Sequence, residues 1–318
     1  GDWPHGTDWL SEATLETYLP LIAQFRALQA EGIAAPVTLG VTPILANQLA
    51  HPTFKGIIAR YAAQRAAAHA EEAARFEARG ETDLAWVARW HLAHLERLRT
   101  LWSEIDGDIL GQFRALADEG RLELTGSAAT HGFLPMLGRD ESIRFQLRLG
   151  FAEHQRLFGR APAGCWLPEC AYRPAGWWEP LHHAPHRGMR HGTEGDVAQA
   201  GFRYATHDAP LVAGPDKHHR RPPYRAYRIQ SPDGSARVRA IVRDQRTAAQ
   251  VWSADGGYPG DGAYLEFHKQ HWPGGLKLWR VTARKADLGD KHPYWPEVAE
   301  HKAKEHAHHF ATLLGAIA

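Results

Sequence analysis

The most constraining feature of this sequence is a recurrent order in which a short apolar run is followed by polar loop residues and then by a helical pattern. Such runs predict strands at residues 37–41, 121–125, 163–167, 202–206 and 238–242. Repeated strand, loop and helix is the order expected of a parallel sheet covered by helices. In a (β/α) barrel the loops after the strands build the site. We therefore predict an α/β fold whose functional residues follow the strands.

Long helical patterns accompany the strands. Residues 12–31 have apolar positions at three- and four-residue steps, with Pro20 placed to kink or divide the helix. Residues 54–116 are dominated by Ala, Glu, Arg and Leu, which predicts two or three long helices broken near Gly80 and Gly107. This stretch is interpreted as a helical insertion. Further helices are predicted at residues 141–158 and 296–314.

Length and charge limit the classes of protein and partner. A chain of 318 residues fits one α/β barrel domain with insertions. The net charge of +1 provides no strong field for polyanions, so we expect neither nucleic acid nor an anionic membrane as partner. Twelve Trp outnumber the nine Tyr and the eleven Phe, which suits stacking on sugar rings as well as core packing. This balance favours a neutral carbohydrate.

Targeting signals and metal chemistry find little support in the sequence. The apolar stretches are too short to span a bilayer and the first residues lack a basic start, so a soluble, cytoplasmic protein is expected. Cys165 and Cys170 are expected to be free thiols, because a disulfide would strain the intervening segment. The histidine-rich segment 182–191 (His182, His183, His186 and His191) could suggest a metal, but its Pro, Gly and Arg content is typical of a solvated loop, so no metal site is predicted.

One carboxylate stands out against this background. Glu169 follows the strand predicted at 163–167, and Pro168, which lacks an N–H, should end that strand. The neighbouring aromatic residues Trp166 and Tyr172 could form apolar walls of a sugar-binding cleft. Two alternatives remain open: Glu169 caps the next turn, or it pairs with Arg173.

The segment Trp-Leu-Pro-Glu-Cys-Ala-Tyr at 166–172 resembles the nucleophile segment of glycoside hydrolase family 57. Four other segments, at 38–45, 129–135, 251–260 and 279–282, also resemble that family, in the family's order, and look most like its 1,4-α-glucan branching enzymes. The resemblance implies an incomplete seven-stranded (β/α) barrel in which residues 1–318 form one catalytic domain. It implies no cofactor.

The resemblance also assigns roles to individual residues. Glu169 matches the family nucleophile, and His131 matches a position that lines the neighbouring sugar subsite. Trp3 and Trp252 match aromatic residues at the mouth of the cleft. The alternatives are that His131 packs on Phe133 and that Trp252 packs in the core.

Three further residues are weaker site candidates. Arg243 and Asp255 could orient sugar hydroxyls, although an Arg243–Asp244 surface pair is the simpler interpretation. The loop at 213–223, followed by Tyr224, falls where branching enzymes of the family carry a mobile, tyrosine-bearing lid. The alternative is an ordinary surface loop.

The family's two flanking motifs are missing from the sequence. Neither the acid/base Asp segment nor the opening His-x-His-x-Pro strand occurs, so the barrel is expected to lack its first and last strands. Asp208 and Asp255, each near a predicted strand end, are other candidates for the second carboxylate, although the family correspondence places neither in that role. The predicted function is α-glucan branching by an incomplete chain. Hydrolysis or 4-α-glucanotransfer, and a non-catalytic glucan-binding remnant, stay open.

Overall fold

The computed structural model describes residues 7–34, 37–179, 187–212 and 224–317. These residues form two compact units. We call the first the sheet unit, which comprises Phe25–Pro52 and Asp108–Asp244, and the second the helical unit, which comprises Gly1–Gln24, Thr53–Gly107 and Gln245–Ala318.

The sheet unit is built on a mainly parallel sheet. Within the described residues it has six strands in the order β1-β2-β3-β6-β8-β7, and all pairs are parallel except that of β7 with β8. A separate antiparallel pair joins β4 to β5. The strands are β1 Val37–Gly40, β2 Leu122–Ser127, β3 Gly164–Trp166, β4 Gly176–Trp178, β5 Gly188–Arg190, β6 Tyr204–Asp208, β7 Tyr227–Gln230 and β8 Arg237–Arg243.

Helices of the sheet unit supply its apolar core. Ile143 and Leu147 of α7 and Val197 of α8 pack with Cys165 and Ala205 of the sheet, and all five are buried. This burial of one helix face against the strands is the main stabilising contribution to the unit. The helices are α3 Pro43–Ala50, α6 Ile109–Asp118, α7 Asp140–Phe158, α8 Thr193–Ala200 and α9 Ala209–Val212.

The helical unit has its own core. Phe76 of α4 and Val87 and Ala88 of α5 pack with Leu276 and Leu278 from the later part of the chain. The helices in this part of the chain are α1 Thr7–Ala13, a π-helical turn Thr14–Tyr18, α2 Leu19–Ala30, which contains the boundary between the units, α4 Phe54–Ala78, α5 Thr82–Glu104, α10 Gln245–Trp252 and α11 Pro296–Gly315.

The predicted interruptions of the helices are confirmed. The π-turn Thr14–Tyr18 ends two residues before Pro20, and the N–H of Leu19 bonds to the carbonyl of Thr14, as expected where proline cannot continue an α-helical ladder. Gly80 (φ +74°) and Gly107 (φ +66°) lie between the helices in the left-handed region, which glycine adopts without steric cost.

The five predicted strands and the α/β class are confirmed, whereas three short strands were not predicted. β4, β5 and β7 contain three or four residues each and lie outside the apolar runs that predicted the equally short β1 and β3. In the described part of the chain, no helix combines the length and the apolar character needed to span a bilayer.

Candidate functional site

Four neighbouring parallel strands end at the same edge of the sheet unit. Ser127 of β2 is in register with Trp166 of β3, and Asp208 of β6 with Arg243 of β8. β3 also pairs with β6. The residues that follow these strands therefore lie close together. Ligands of α/β proteins usually bind at the carboxyl ends of the parallel strands.

Glu169 is held in an unusual backbone conformation just beyond β3. Strand pairing stops at Trp166, and a short 3₁₀ turn, Pro168–Cys170, follows. Within this turn Glu169 has φ 57° and ψ 22°, and Cys170 has φ 51°. Left-handed backbone is costly for residues with a side chain and concentrates at functional sites. The turn exposes 68% of the Glu169 side chain.

His131, from the loop after β2, lies beside this carboxylate. Its Nε2 is 3.3 Å from Oε1 of Glu169, and its own φ is 56°. Nδ1 of His131 is buried and has no hydrogen-bond partner among the described residues. The contact with Glu169 places His131 in the candidate site, while Phe133, its alternative packing partner, is 46% exposed.

Arg173 does not pair with Glu169. Its guanidinium lies 3.3 Å from Oδ1 of Asp140, an oxygen that also accepts a 2.6 Å hydrogen bond from Nε of Arg190. Both arginines and Asp140 are largely buried. The ion-pair alternative for Glu169 is therefore wrong, because the more buried carboxylate of Asp140 holds the guanidinium.

Asp208 and Arg243 extend the site along the sheet edge. Nη2 of Arg243 lies 2.8 Å from Oδ1 of Asp208, so Arg243 pairs across the strands with Asp208, and the predicted surface pair with Asp244 is wrong. The thiol of Cys170 is buried close to this pair. Burial, with a smaller contribution from the Asp208 carboxylate, raises the pKa of Cys170 to about 11. The thiol therefore remains protonated beside Glu169.

A second layer of polar residues lies behind the turn. The Tyr172 hydroxyl donates a 2.7 Å hydrogen bond to Oε2 of the buried Glu194, and the Tyr172 ring meets His207 edge to face at 5.3 Å. Burial lowers the pKa of His207 to about 4, so this imidazole is neutral at pH 7. Sequence analysis did not identify Glu194 or His207. The single available signal for His207 was its position directly after the strand predicted at 202–206 and one residue before Asp208.

The same unit contains a cavity of about 460 Å³ next to these strands. His131 and Trp166 line it together with Glu123 and Tyr204, whose hydroxyl donates a 2.8 Å hydrogen bond to Glu123. Aromatic surface with a few converging polar groups is the usual character of a small-molecule site. The cavity and the Glu169 turn thus share His131.

The remaining predicted site residues have different positions. Trp252 belongs to the helical unit and is 79% exposed, so its core-packing alternative is wrong. Asp255 is exposed and follows helix α10 instead of a strand end, because the apolar residues before it are helical. Tyr224 is 54% exposed, and its hydroxyl donates a 3.1 Å hydrogen bond to Asp244. Trp3 and the loop 213–223 lie outside the described residues.

The predicted free thiols are confirmed, since Cys165 and Cys170 are both unpaired and buried. In the histidine-rich segment 182–191, only His191 of the four histidines falls within the described residues. Across the described ranges, no group of three or more His, Cys, Asp or Glu side chains could hold a metal ion.

Comparisons with known proteins agree with this arrangement. The model of glycosyl hydrolase family 57 matches residues 4–286. A 1,4-alpha-glucan branching enzyme of Thermococcus kodakarensis is 38% identical over 99% of this chain and 46% of its own length. The chain therefore spans about half the length of the curated relatives it matches.

Two solved structures resemble the whole chain. The crystal structure of a family 57 branching enzyme from Pyrococcus horikoshii has a TM-score of 0.89 and 37% identity, over all of this chain and 56% of that one. The alpha-amylase AmyC of Thermotoga maritima has a TM-score of 0.78 and 25% identity, over 99% of this chain and 60% of that one. Because the family model covers most of the chain and the fold agrees throughout, this protein belongs to glycosyl hydrolase family 57.

Proposed function

We propose that this chain carries the nucleophile of an α-glucan branching enzyme that transfers a glucan segment to a sugar 6-hydroxyl with retention of configuration. The observation that carries the proposal is the left-handed turn after β3, which presents Glu169 to solvent with His131 3.3 Å away. The 38% identity to a branching enzyme supports the choice of reaction. An α-glucan such as amylose or glycogen is the proposed substrate.

In this proposal the Glu169 carboxylate attacks the anomeric carbon of the donor. The glycosidic C–O bond breaks as a carboxylic acid protonates the leaving oxygen, and a covalent glycosyl-enzyme remains. The acceptor 6-hydroxyl then attacks that carbon, loses its proton to the second carboxylate and releases Glu169. Retaining enzymes place their two carboxyl groups about 5–5.5 Å apart. The identity of the second group is open. Asp208 is the candidate on the same sheet as the Glu169 turn, because it ends β6, which pairs with β3.

The other side chains are proposed to bind and orient the sugar. His131 can donate to or accept from a hydroxyl next to the reacting centre. The Arg243–Asp208 pair can bind two neighbouring hydroxyls through charge-assisted hydrogen bonds. Trp3 and Trp252 are proposed to stack on glucose rings, with Asp255 as a polar neighbour of Trp252, and Tyr224 is the proposed lid residue that helps to exclude water.

The finer features of the architecture are also proposals. We propose that the sheet is part of an incomplete (β/α)7 barrel and that residues 1–318 act as one catalytic domain with the helical insertion at about 54–116; the mainly parallel sheet and helices α4 and α5 support this. A cytoplasmic location is proposed on the free thiols of Cys165 and Cys170, which are typical of a reducing compartment.

Hydrolysis is the second candidate function. The similarity to an alpha-amylase along 99% of this chain favours it. The two reactions share the covalent intermediate and differ in whether water or a sugar hydroxyl attacks it. 4-α-Glucanotransfer uses the same intermediate with a 4-hydroxyl acceptor.

The deciding experiment uses a preparation that contains this chain together with the family's acid/base segment: it is incubated with amylose, and the products are debranched and analysed for chain length. New α-1,6 linkages that are absent in Glu169→Gln support branching by this site. Reducing ends without new branches would favour hydrolysis, and new α-1,4 chain lengths alone would favour 4-α-glucanotransfer. Amylose binding without any product would indicate a non-catalytic glucan-binding protein.

A further inference from the structure

The helical unit contains a second cavity whose lining includes none of the strand-end residues described above. Its volume is about 330 Å³, which is at the lower end of the range for small-molecule sites, about 300–1,000 Å³. Its lining includes Tyr61, His69, Trp90, His91, Lys277 and Tyr294.

Flat rings form much of the wall. The imidazoles of His69 and His91 stack at 5.3 Å with an interplanar angle of 19°, and His91 stacks on Tyr294 at 6.1 Å and 24°. Trp90 stacks on His94 at 5.2 Å and 7°. Such faces are apolar on their surface and suit another flat or ring-shaped molecule.

Two polar atoms of this wall lack partners within the described chain. Nδ1 of His69, a residue that is only 5% exposed, and Nε2 of His91 are buried without a hydrogen bond. Buried polar atoms are normally paired. Burial also lowers the pKa of His69 to about 3 and of His91 to about 4. Both imidazoles are therefore neutral at pH 7, and each offers one donor and one acceptor.

The charged groups of the cavity compensate one another. Lys277 contacts Glu12 and lies 3.2 Å from Glu16. Nη1 of Arg65 donates to the carbonyl oxygens of Gly274 and Gly275. Two cations and two carboxylates in the lining give no net charge, so the cavity favours neither an anion nor a cation.

We propose that this cavity binds one neutral, polyhydroxylated ring, a glucosyl unit, at a site separate from the Glu169 turn. Sugar hydroxyls both donate and accept, which matches the neutral imidazoles of His69 and His91 and the hydroxyl of Tyr61, and the C–H face of the ring packs on Trp90. The choice of glucose among neutral polyols rests on the proposed function. A metal ion does not fit, because His69 and His91 stack face to face and the described residues hold no metal-ligand cluster.

The test is histidine NMR on the 318-residue protein carrying ¹³C at the imidazole Cε1. Substitutions His69→Gln and His91→Gln assign the two signals, and methyl α-D-glucopyranoside is added at neutral pH up to about 100 mM, well above a millimolar Kd. We expect both signals to shift with saturation. Tyr61→Phe should weaken the apparent affinity about tenfold, as expected when one hydrogen bond to the ligand is lost. Tyr258→Phe, a matched change outside the cavity lining, should leave the affinity unchanged.

Several outcomes would overturn this proposal. The proposal would be wrong if the two histidine signals did not move over the whole titration, or if they moved equally with acetate or inorganic phosphate. It would also be wrong if Tyr61→Phe and Tyr258→Phe had the same affinity for the sugar. Glu169→Gln separates this proposal from the catalytic one, because it removes the proposed nucleophile and should leave the histidine shifts intact. A loss of those shifts in Glu169→Gln would assign the sugar to the strand-end site and refute a separate cavity site.

Discussion

The guanidinium of Arg173 lies 3.3 Å from the carboxylate of Asp140, although Arg173 follows Glu169 by only four residues. This pairing leaves the exposed Glu169 carboxylate with His131 as its hydrogen-bonding neighbour. A nucleophile that was tied to a guanidinium would be stabilised in its unreacted state. The Arg173–Asp140 pair thus anchors the segment after the turn without involving the carboxylate.

We expect Glu169→Gln to separate folding from catalysis. The side chain is 68% exposed and makes one hydrogen bond of 3.3 Å, so the free energy of unfolding should change by about 1 kcal/mol or less. In a preparation that is active on amylose, turnover should fall by several orders of magnitude, because the attacking group is lost. Urea denaturation and chain-length analysis measure the two effects. Near-normal turnover would refute the nucleophile assignment, and extensive unfolding would show that the carboxylate is structural.

Substitution of Gly150 should destabilise the sheet unit although the residue lies in a helix. A Cβ at Gly150 of α7 would come within 2.0 Å of the carbonyl oxygen of Ser127, at the end of β2. Gly→Ala in a helix interior normally stabilises by about 1 kcal/mol, whereas a backbone clash of this kind costs about 1–3 kcal/mol. We therefore expect Gly150→Ala to lower the urea midpoint.

Gly195→Ala in α8 is the matched control, since its added Cβ would meet only Ala236 at 4.0 Å. It should leave the midpoint unchanged or raise it. If Gly150→Ala were as stable as Gly195→Ala, the close packing of α7 on the end of β2 would be wrong.

Buried histidines should make the protein less stable as the pH falls. His154 is 2% exposed, and burial lowers its pKa from 6.5 to about 4. The unfolded chain then binds a proton below about pH 6.5 that the folded chain does not bind until about pH 4. The stabilising contribution is therefore complete above pH 6.5 and is lost on acidification through this window, by about 1.4 kcal/mol per pH unit for each such group.

Urea denaturation at a series of pH values between 7 and 5 measures this slope. His154→Gln removes one titrating group, so its free energy of unfolding should fall less steeply with acidification than that of the unsubstituted protein. Equal slopes in the two proteins would show that His154 is not held neutral.

The sequence predicted the elements of the fold better than the partners of the site residues. Strand β3 and the break at Pro168 follow from local chemistry, because proline ends the strand wherever it occurs. The partners are set by distant parts of the chain. Asp140 precedes Arg173 by 33 residues, and His131 precedes Glu169 by 38. No local pattern encodes such distances.

Asp255 illustrates a different limit. Asp255 was predicted to lie near a strand end, whereas the residues before it, Gln245–Trp252, form a helix with no buried residues. A short amphipathic segment of this kind is ambiguous between helix and strand. The resemblance at 251–260 did not fix the secondary structure of the residues before Asp255.

Glucan binding by the 318-residue chain should depend on the exposed indole of Trp252. The side chain is 79% exposed on α10, and stacking of an aromatic ring on a ligand contributes about 0.5–1.5 kcal/mol beyond area burial. We expect Trp252→Ala to weaken amylose binding about threefold to tenfold, as measured by affinity electrophoresis in amylose gels. Trp9→Ala is the matched control, because Trp9 is also exposed, at 66%, and belongs to the same unit. Equal retardation of both variants would remove Trp252 from the proposed substrate site.

Incubation of the 318-residue chain with amylose is expected to give little or no transfer, since the matching acid/base segment is absent from its sequence. Branching at a rate comparable to that of a complete family enzyme would show that a carboxylate of this chain, with Asp208 and Asp255 as the first candidates, protonates the leaving oxygen.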